Sequence, residues 1–225
     1  MLFDADLVAT LAESVPPVLA LALVFVTFLG SVYVVAPATA LAVVSADRHR
    51  VATWPAIVAG GYGLFVTLKP IFSIARPIVE PPATAVAFPG ASSVVYDLAV
   101  GPTSSSFPSG HALAATVFWG LVAADARVGP RRLRLFGCAS LVVAVALSRV
   151  ALGVHYVGDV LAGVAVGLAF LTVTLALRDR SSDPVLTAAA VAAVPAAGGL
   201  VTGRPADAAV LIAVVLLSAV VFRRR

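Results

Sequence analysis

Aspartate, glutamate, lysine and arginine are missing from seven long stretches of this chain, over residues 14–46, 51–68, 98–124, 135–148, 160–177, 184–203 and 208–222. A helix needs roughly 20 apolar residues to cross about 30 Å of hydrocarbon, within a range of about 17–25. The runs fit that scale, and the composition closes off other readings. Hydrophobic residues make up 61% of the 225 and charged residues 12%, against about 45–50% and about 25% in ordinary soluble domains. A water-soluble domain could not cover so much apolar surface, and disorder requires the opposite composition. Cys138 is the only cysteine, which excludes a disulfide scaffold. The net charge of +4 does not indicate nucleic acid, because the basic residues are scattered between apolar runs and gather on no single face.

With polar residues allowed at their ends, the runs predict spans near 17–45, 52–69, 108–126, 132–150, 156–177, 184–202 and 206–222. The fold class is an all-α, polytopic membrane bundle of about 6–7 transmembrane helices. The first run is too long for one upright helix and too short for two; we read it as one tilted span kinked at Pro37. Residues 2–13 carry Asp4, Asp6 and Glu13 and no basic residue, so they predict a short interfacial helix and not a signal peptide. Seven spans divide the basic residues eleven to four. Arg48, Arg50, Arg127, Arg131, Arg132, Arg134, Arg178, Arg180 and Arg223–Arg225 fall on one side, and Lys69, Arg76, Arg149 and Arg204 on the other. The positive-inside rule then places the C-terminus in the cytoplasm of a multi-pass cell-membrane protein. We see no internal repeat and no second domain, so residues 1–225 read as one integral-membrane domain. The outward loop over about 70–107 is long enough to expect a functional role. Gly163 and Gly167 form a small-xxx-small pair that lets helices approach closely, first of all within the chain.

The few outward polar groups fall in three places. Lys69 and Arg76-Pro77 bracket six residues at the end of the second span; Pro108-Ser109-Gly110-His111 opens the third; Ser148-Arg149, His155 and Asp159 lie between the fourth and fifth. The topology puts all three at one membrane face. Pro108 near a first helical turn, followed by Ser109 and Gly110, presents backbone N–H groups suited to an anion. Lys69, Arg76 and Arg149 add positive charge, and guanidinium forks match phosphate oxygens. His155 and Asp159 are four residues apart and share a helical face. A carboxylate on one ring nitrogen fixes the tautomer and leaves the other as a nucleophile, while His111 is free to protonate a leaving oxygen. The set reads as phosphoryl transfer through a phosphohistidine.

At these residues the sequence resembles the type 2 phosphatidic acid phosphatase (PAP2) family, whose three motifs are a lysine, six residues and Arg-Pro; Pro-Ser-Gly-His; and Ser-Arg, five residues, His, three residues, Asp. Every motif position is present. The likeness covers about residues 50–178 and leaves residues 179–225, two additional C-terminal spans, unaccounted for. It implies a helical core and hydrolysis of a phosphate monoester or diphosphate with no metal and no cofactor. Carried over, His155 attacks phosphorus, Asp159 orients it, and His111 protonates the leaving group. Lys69, Arg76, Ser109, Gly110 and Arg149 hold the phosphoryl oxygens. The expected substrate is a lipid phosphate or diphosphate: polyprenyl diphosphate, phosphatidate or phosphatidylglycerol phosphate. Its tail would stay among membrane lipids while the headgroup enters an extracytoplasmic site.

Other readings are weaker. A phosphotransferase would hand the same phosphoryl group to a lipid or alcohol. A lipid-phosphate binder or transporter would lack a use for two histidines and an aspartate, and the spans show no charged translocation path. A metal on His111, His155 and Asp159 would be repelled by three nearby cations. His49 lies in the Arg48–Arg50 turn and reads as interfacial. Ser104–Ser106 has no nucleophile context, and Cys138 reads as a small apolar residue. Arg204 is a span-end charge. The aromatic residues Trp54, Trp119, Tyr33, Tyr62, Tyr96 and Tyr156 include interface anchors.

Overall fold

The computed structural model describes residues 2–45, 49–83, 87–101 and 104–222. These form helices and connecting turns with no strand among them. In chain order the helices are α1 (Ala5–Glu13), α2 (Pro17–Phe28), α3 (Val32–Ser45), α4 (Trp54–Phe72), α5 (Ala91–Val100), α6 (Gly110–Asp125), α7 (Arg131–Ala151), α8 (Val157–Arg178), α9 (Pro184–Val201) and α10 (Pro205–Phe222). A 3-10 turn, Val51–Thr53, leads into α4. By length and composition, α4 with that turn, α7, α8, α9 and α10 can each cross a membrane. A sixth candidate is the pair α1 and α2, bent by 116°. Helix α6 has 16 residues, about 24 Å of rise. The protein is a multi-pass membrane bundle.

One expected span is corrected. Residues 17–45 do not form a single helix kinked at Pro37: the helix stops at Phe28, restarts at Val32, and runs on through Pro37. The break falls at Gly30-Ser31, a poor helix-forming pair. It also falls where the backbone crosses its neighbours. A Cβ on Gly30 would lie 2.5 Å from the His111 carbonyl oxygen and 2.9 Å from Val145, so only glycine fits between α6 and α7. Breaking a helix frees a carbonyl, and the Trp119 indole N–H donates to that of Leu29 at 3.1 Å, as a low-dielectric setting demands. Trp119 is therefore a packed donor.

Helix α6 packs between α7 and α8. The α8 face that meets it carries Gly163 and Gly167: a Cβ at Gly163 would stand 2.6 Å from the Ser109 carbonyl oxygen, and one at Gly167 2.9 Å from Thr116. The small-residue pair thus serves contact within the chain. Helix α4 packs on α9 and α10, which tie residues 179–222 to the motif-bearing helices. The long loop is partly helical. Its α5 buries Tyr96 and Ala99 against Ala20, Val24, Leu152 and Val154, and the Ala83 N–H donates to the Tyr96 hydroxyl at 3.2 Å.

At the far end of α6, about 22 Å from Gly110 by helix rise, Asp125 forms a buried fork with Arg178: Oδ2 to Nη1 at 2.6 Å and Oδ1 to Nη2 at 2.9 Å. The Trp54 indole N–H donates to the same carboxylate at 2.9 Å. This joins the start of α4 to the ends of α6 and α8. Arg178 is also bonded to Asp179 at 2.9 Å, and Arg50 stands 3.9 Å from Asp125. Arg48 and Arg223–Arg225, which carry part of the charge asymmetry, lie outside the described residues. Removing one partner of a buried pair strands the other charge, at a cost of about 3–5 kcal/mol. Asp125→Ala is therefore expected to lower the unfolding temperature in detergent sharply; an unchanged melting curve would refute the clasp.

Candidate active site

The three motif segments meet at the other end of the bundle. Lys69 occupies the last turn of α4 and is 5% exposed. Its Nζ donates to the Ser105 carbonyl, and the Ser105 hydroxyl donates back to the Lys69 carbonyl at 3.0 Å. Arg76 follows in the loop, donating through Nε to the Ser104 carbonyl at 2.9 Å and through Nη1 to the Val154 carbonyl at 2.7 Å. Arg149, in the last turn of α7, is 3% exposed. It donates through Nη1 to the Ala99 carbonyl at 2.8 Å and the Thr27 hydroxyl at 3.1 Å. All three cations are held by neutral oxygens.

Gly153 (φ 75°) turns the chain out of α7, and His155 follows, 1% exposed, just before α8. Asp159 sits in the first turn of α8, where its Oδ2 accepts the Tyr156 N–H at 2.8 Å. A helix N-terminus favours such a carboxylate. The same oxygen meets His155 Nδ1 at 3.2 Å and accepts the Ser106 hydroxyl, which itself lies 3.3 Å from that nitrogen. Nδ1 therefore carries the ring proton and Nε2 the lone pair. Burial, reinforced by Arg149, Arg76 and Lys69, pushes the His155 imidazole well below its usual pKa.

A cavity of about 250 Å³ is lined by Lys69, Arg76, Gly110, His111, Arg149 and His155. Asp159 stands behind His155 and is fully buried. Ser109 is not among the lining residues. Its amide donates to the Asp159 carbonyl at 3.0 Å, and its hydroxyl caps α6 by accepting the Ala112 N–H at 3.5 Å. Of the expected phosphate-holding residues it is the one the geometry sets back. Among the described residues no three His, Cys, Asp or Glu side chains are placed to hold a metal.

Three contributors were not singled out for the site by sequence. The Ser104–Ser106 segment, with no nucleophile context of its own, supplies the carbonyls that hold Arg76 and Lys69 and the hydroxyl that bridges His155 and Asp159. Ser31 and Tyr62 also line the cavity, and their buried hydroxyls have no hydrogen-bond partner among the described residues. Ser31 comes from the helix break at Gly30-Ser31, and Tyr62 reads from sequence as one of the interface aromatics.

A family model described as the PAP2 superfamily matches residues 18–183. The chain belongs to that superfamily. With the membrane-crossing helices, membership makes it a membrane phosphatase and supports a lipid phosphate as its substrate class. Among solved structures, the fold is similar to the crystal structure of the first transmembrane PAP2 type phosphatidylglycerolphosphate phosphatase from Bacillus subtilis. The TM-score is 0.67 at 20% identity, over 78% of this chain and 84% of that one. No curated protein matches the chain in sequence.

The surroundings of His155 set its titration. Cations disfavour the protonated ring, so removing one moves its pKa upward. Nitrogen-detected NMR of the detergent-solubilised protein should show the Nδ1–H tautomer persisting below a pH of about 6.5, the ordinary imidazole value. Arg76→Gln should shift the His155 titration toward that value. A wild-type ring that titrates at or above it would refute this arrangement.

Proposed function

We propose that the protein hydrolyses a lipid phosphate or diphosphate through a phosphohistidine on His155, without a metal, at the extracytoplasmic face. The observation that carries this reading is the pairing of His155 Nδ1 with a buried carboxylate on the wall of a cavity ringed by three cations. That pairing leaves Nε2 as the free nucleophile, and the cations supply the stabilisation a metal would otherwise bring to a phosphoryl group whose charge shifts in the transition state.

In the first step the Nε2 lone pair forms a bond to phosphorus as the bond to the leaving oxygen breaks. His111 gives its proton to that oxygen, and Asp159 stabilises the imidazolium character that develops on His155. In the second step water attacks phosphorus. His111 accepts the water proton, the P–N bond breaks, and inorganic phosphate leaves with His155 neutral again. Lys69, Arg76 and Arg149 neutralise the non-bridging oxygens throughout, and the Gly110 amide at the α6 N-terminus adds a backbone donor. Ser109 contributes by fixing that terminus.

A tail anchored in the bilayer suits a site at the end of membrane-crossing helices. Phosphatidylglycerol phosphate, the substrate named for the structural neighbour, stands beside phosphatidate and polyprenyl diphosphate as a candidate. The division of basic residues, eleven to four, supports a cytoplasmic C-terminus and an outward-facing site.

Phosphate release from a panel of these lipids tests the reading directly. His155→Ala should abolish turnover, and no phosphoryl-enzyme should form. His111→Ala should slow substrates with poor leaving groups most, by about 10²–10⁴-fold. Activity should survive EDTA, and chelator loss reversed by a divalent metal would overturn the metal-free mechanism. Product formed on an added lipid alcohol in place of free phosphate would shift the reading to a phosphotransferase. For the side, a cysteine placed at Ser92 in a Cys138→Ala background should react with an impermeant maleimide on intact cells, whereas one at Val128 should not. The reverse pattern would turn the site inward.

A further inference from the structure

The phosphate cavity does not end at its cations. Val32, Tyr62 and Phe65 line it and also line a second, larger cavity of about 810 Å³. That second space is a groove between α3, α4 and α10, walled by residues such as Ala36, Ala40, Val58, Val210 and Val214. We propose that this groove binds the hydrocarbon chain of the substrate while its phosphoryl group occupies the cavity beside His155. The inference rests on the lipid-phosphate reading above and extends it to how the tail is selected.

Three observations carry it. The first is continuity: the same three side chains form the wall where one space meets the other. The second is length. Val32 to Val44 line the groove along α3, a run of about 18 Å by helix rise, close to the roughly 15 Å depth of one leaflet of hydrocarbon. The third is polarity. Apart from Tyr62 at the junction and Thr39, whose hydroxyl is taken up by the Val35 carbonyl at 2.7 Å, the groove is apolar except toward one end, where Asp207, paired with Arg204 at 2.7 Å, lies in the first turn of α10. A Cβ on Gly199, beside the α9–α10 turn, would meet both the Arg204 carbonyl oxygen and Val66 of α4 at 3.1 Å, and Val66 precedes Lys69 by one turn, so that end is level with the phosphate cavity. The Tyr62 hydroxyl, buried at the junction without a partner, stands where a lipid's first polar linkage would pass from head to tail.

One wall of this groove lies outside the family match. Helix α10 follows residue 183, where the match stops. The chemistry thus resides in helices shared with the superfamily, and the fit of the tail depends in part on this chain's own C-terminal helix.

Each methylene moved from water to an apolar site is worth roughly fourfold in affinity, so chain length is the readout. The wild-type protein is assayed in detergent with a long-chain and a short-chain monoalkyl phosphate, alongside Ala40→Phe and Val210→Phe, which fill the groove from two sides. Val173→Phe, on an exposed face of α8 away from the groove, serves as the control. The ratio of kcat/KM for the long over the short chain should fall at least about tenfold in either groove variant and stay unchanged in the control. An unchanged ratio in active groove variants, or an equal fall for both chains, would overturn the groove alone. A wild type that hydrolyses neither would overturn the lipid-phosphate reading as well.

If the variants fail to fold, photolabelling decides. A long-chain alkyl phosphate with a diazirine at its tail end should label α3 and α10 of the wild-type protein, and excess unmodified long-chain phosphate should displace it. Labelling that this competitor leaves in place would identify ordinary bilayer lipid as the occupant. A cross-linked dimer across the groove would identify a second copy of the chain. Either result would overturn the proposal.

Discussion

Buried positive charge without a matching carboxylate governs this structure. Lys69 and Arg149 are nearly inaccessible, and Arg76 is drawn in beside them, yet each donates to backbone carbonyls or a hydroxyl. Taking a cation out of water costs several kcal/mol even after relaxation. Neutral oxygens offset part of that cost by solvating the charge without cancelling it. The field therefore remains available to whatever anion enters the cavity. Asp159, the one carboxylate among the described residues that is bonded within the site, is turned to His155 and the α8 terminus, so it leaves the cations uncancelled.

The opposite end of the bundle shows the alternative. Arg178 is as deeply buried as Arg149, but it meets Asp125 through two hydrogen bonds and Asp179 through a third. Charge there is cancelled locally and no field is left over. Two arginines of similar burial thus have opposite uses, and the partner decides: carboxylates make a clasp, carbonyls leave a receptor. The clasp also holds the ends of α6 and α8 in register, and both helices run from it to the phosphate cavity. The position of Gly110 relative to His155 depends on that alignment.

Much of this was legible from the chain alone. Charge-free runs marked the helices that cross, since every uncharged run of sufficient length in such a composition must be hidden in lipid or protein. Lys69, Arg76, His111, Arg149 and His155 line one cavity because each lies in a terminal helical turn, or in a loop next to one, at the same end of the bundle. The helix break at Gly30 was not legible. Residues 14–46 are apolar throughout, so no periodicity marks a face or a stop, and Pro37 was the more conspicuous breaker. What selects Gly30 is a backbone crossing against His111 and Val145, a contact between segments far apart in sequence. The Asp125–Arg178 fork is illegible for the same reason: its partners are separated by 53 residues. Ser109 reads as a phosphate ligand from its motif, whereas in the fold its amide joins α6 to α8 and its hydroxyl caps α6.

The Ser104–Ser106 segment shows why a site can be only half visible in its own residues. Two of the three contacts it makes to charged groups come from backbone carbonyls, which any residue would supply. Position, not identity, matters at 104, while at 105 the hydroxyl also donates to the Lys69 carbonyl at 3.0 Å. At 106 the side chain matters, because a hydroxyl can donate to Asp159 while lying against His155 Nδ1, and a methyl group there would leave Oδ2 with one donor fewer. One short loop therefore holds both the cations of the cavity and the carboxylate paired with His155. In the proposed mechanism the reach of His155 Nε2 depends on how that loop is docked, and one docking bond is the Ser106 amide on the Ile74 carbonyl at 2.7 Å. Ile74 lies between Lys69 and Arg76, inside the first motif, among the residues whose identity the motif leaves open. The spacing of six between that lysine and arginine thus measures the reach of a chain that must present two cations and a carbonyl to the same loop.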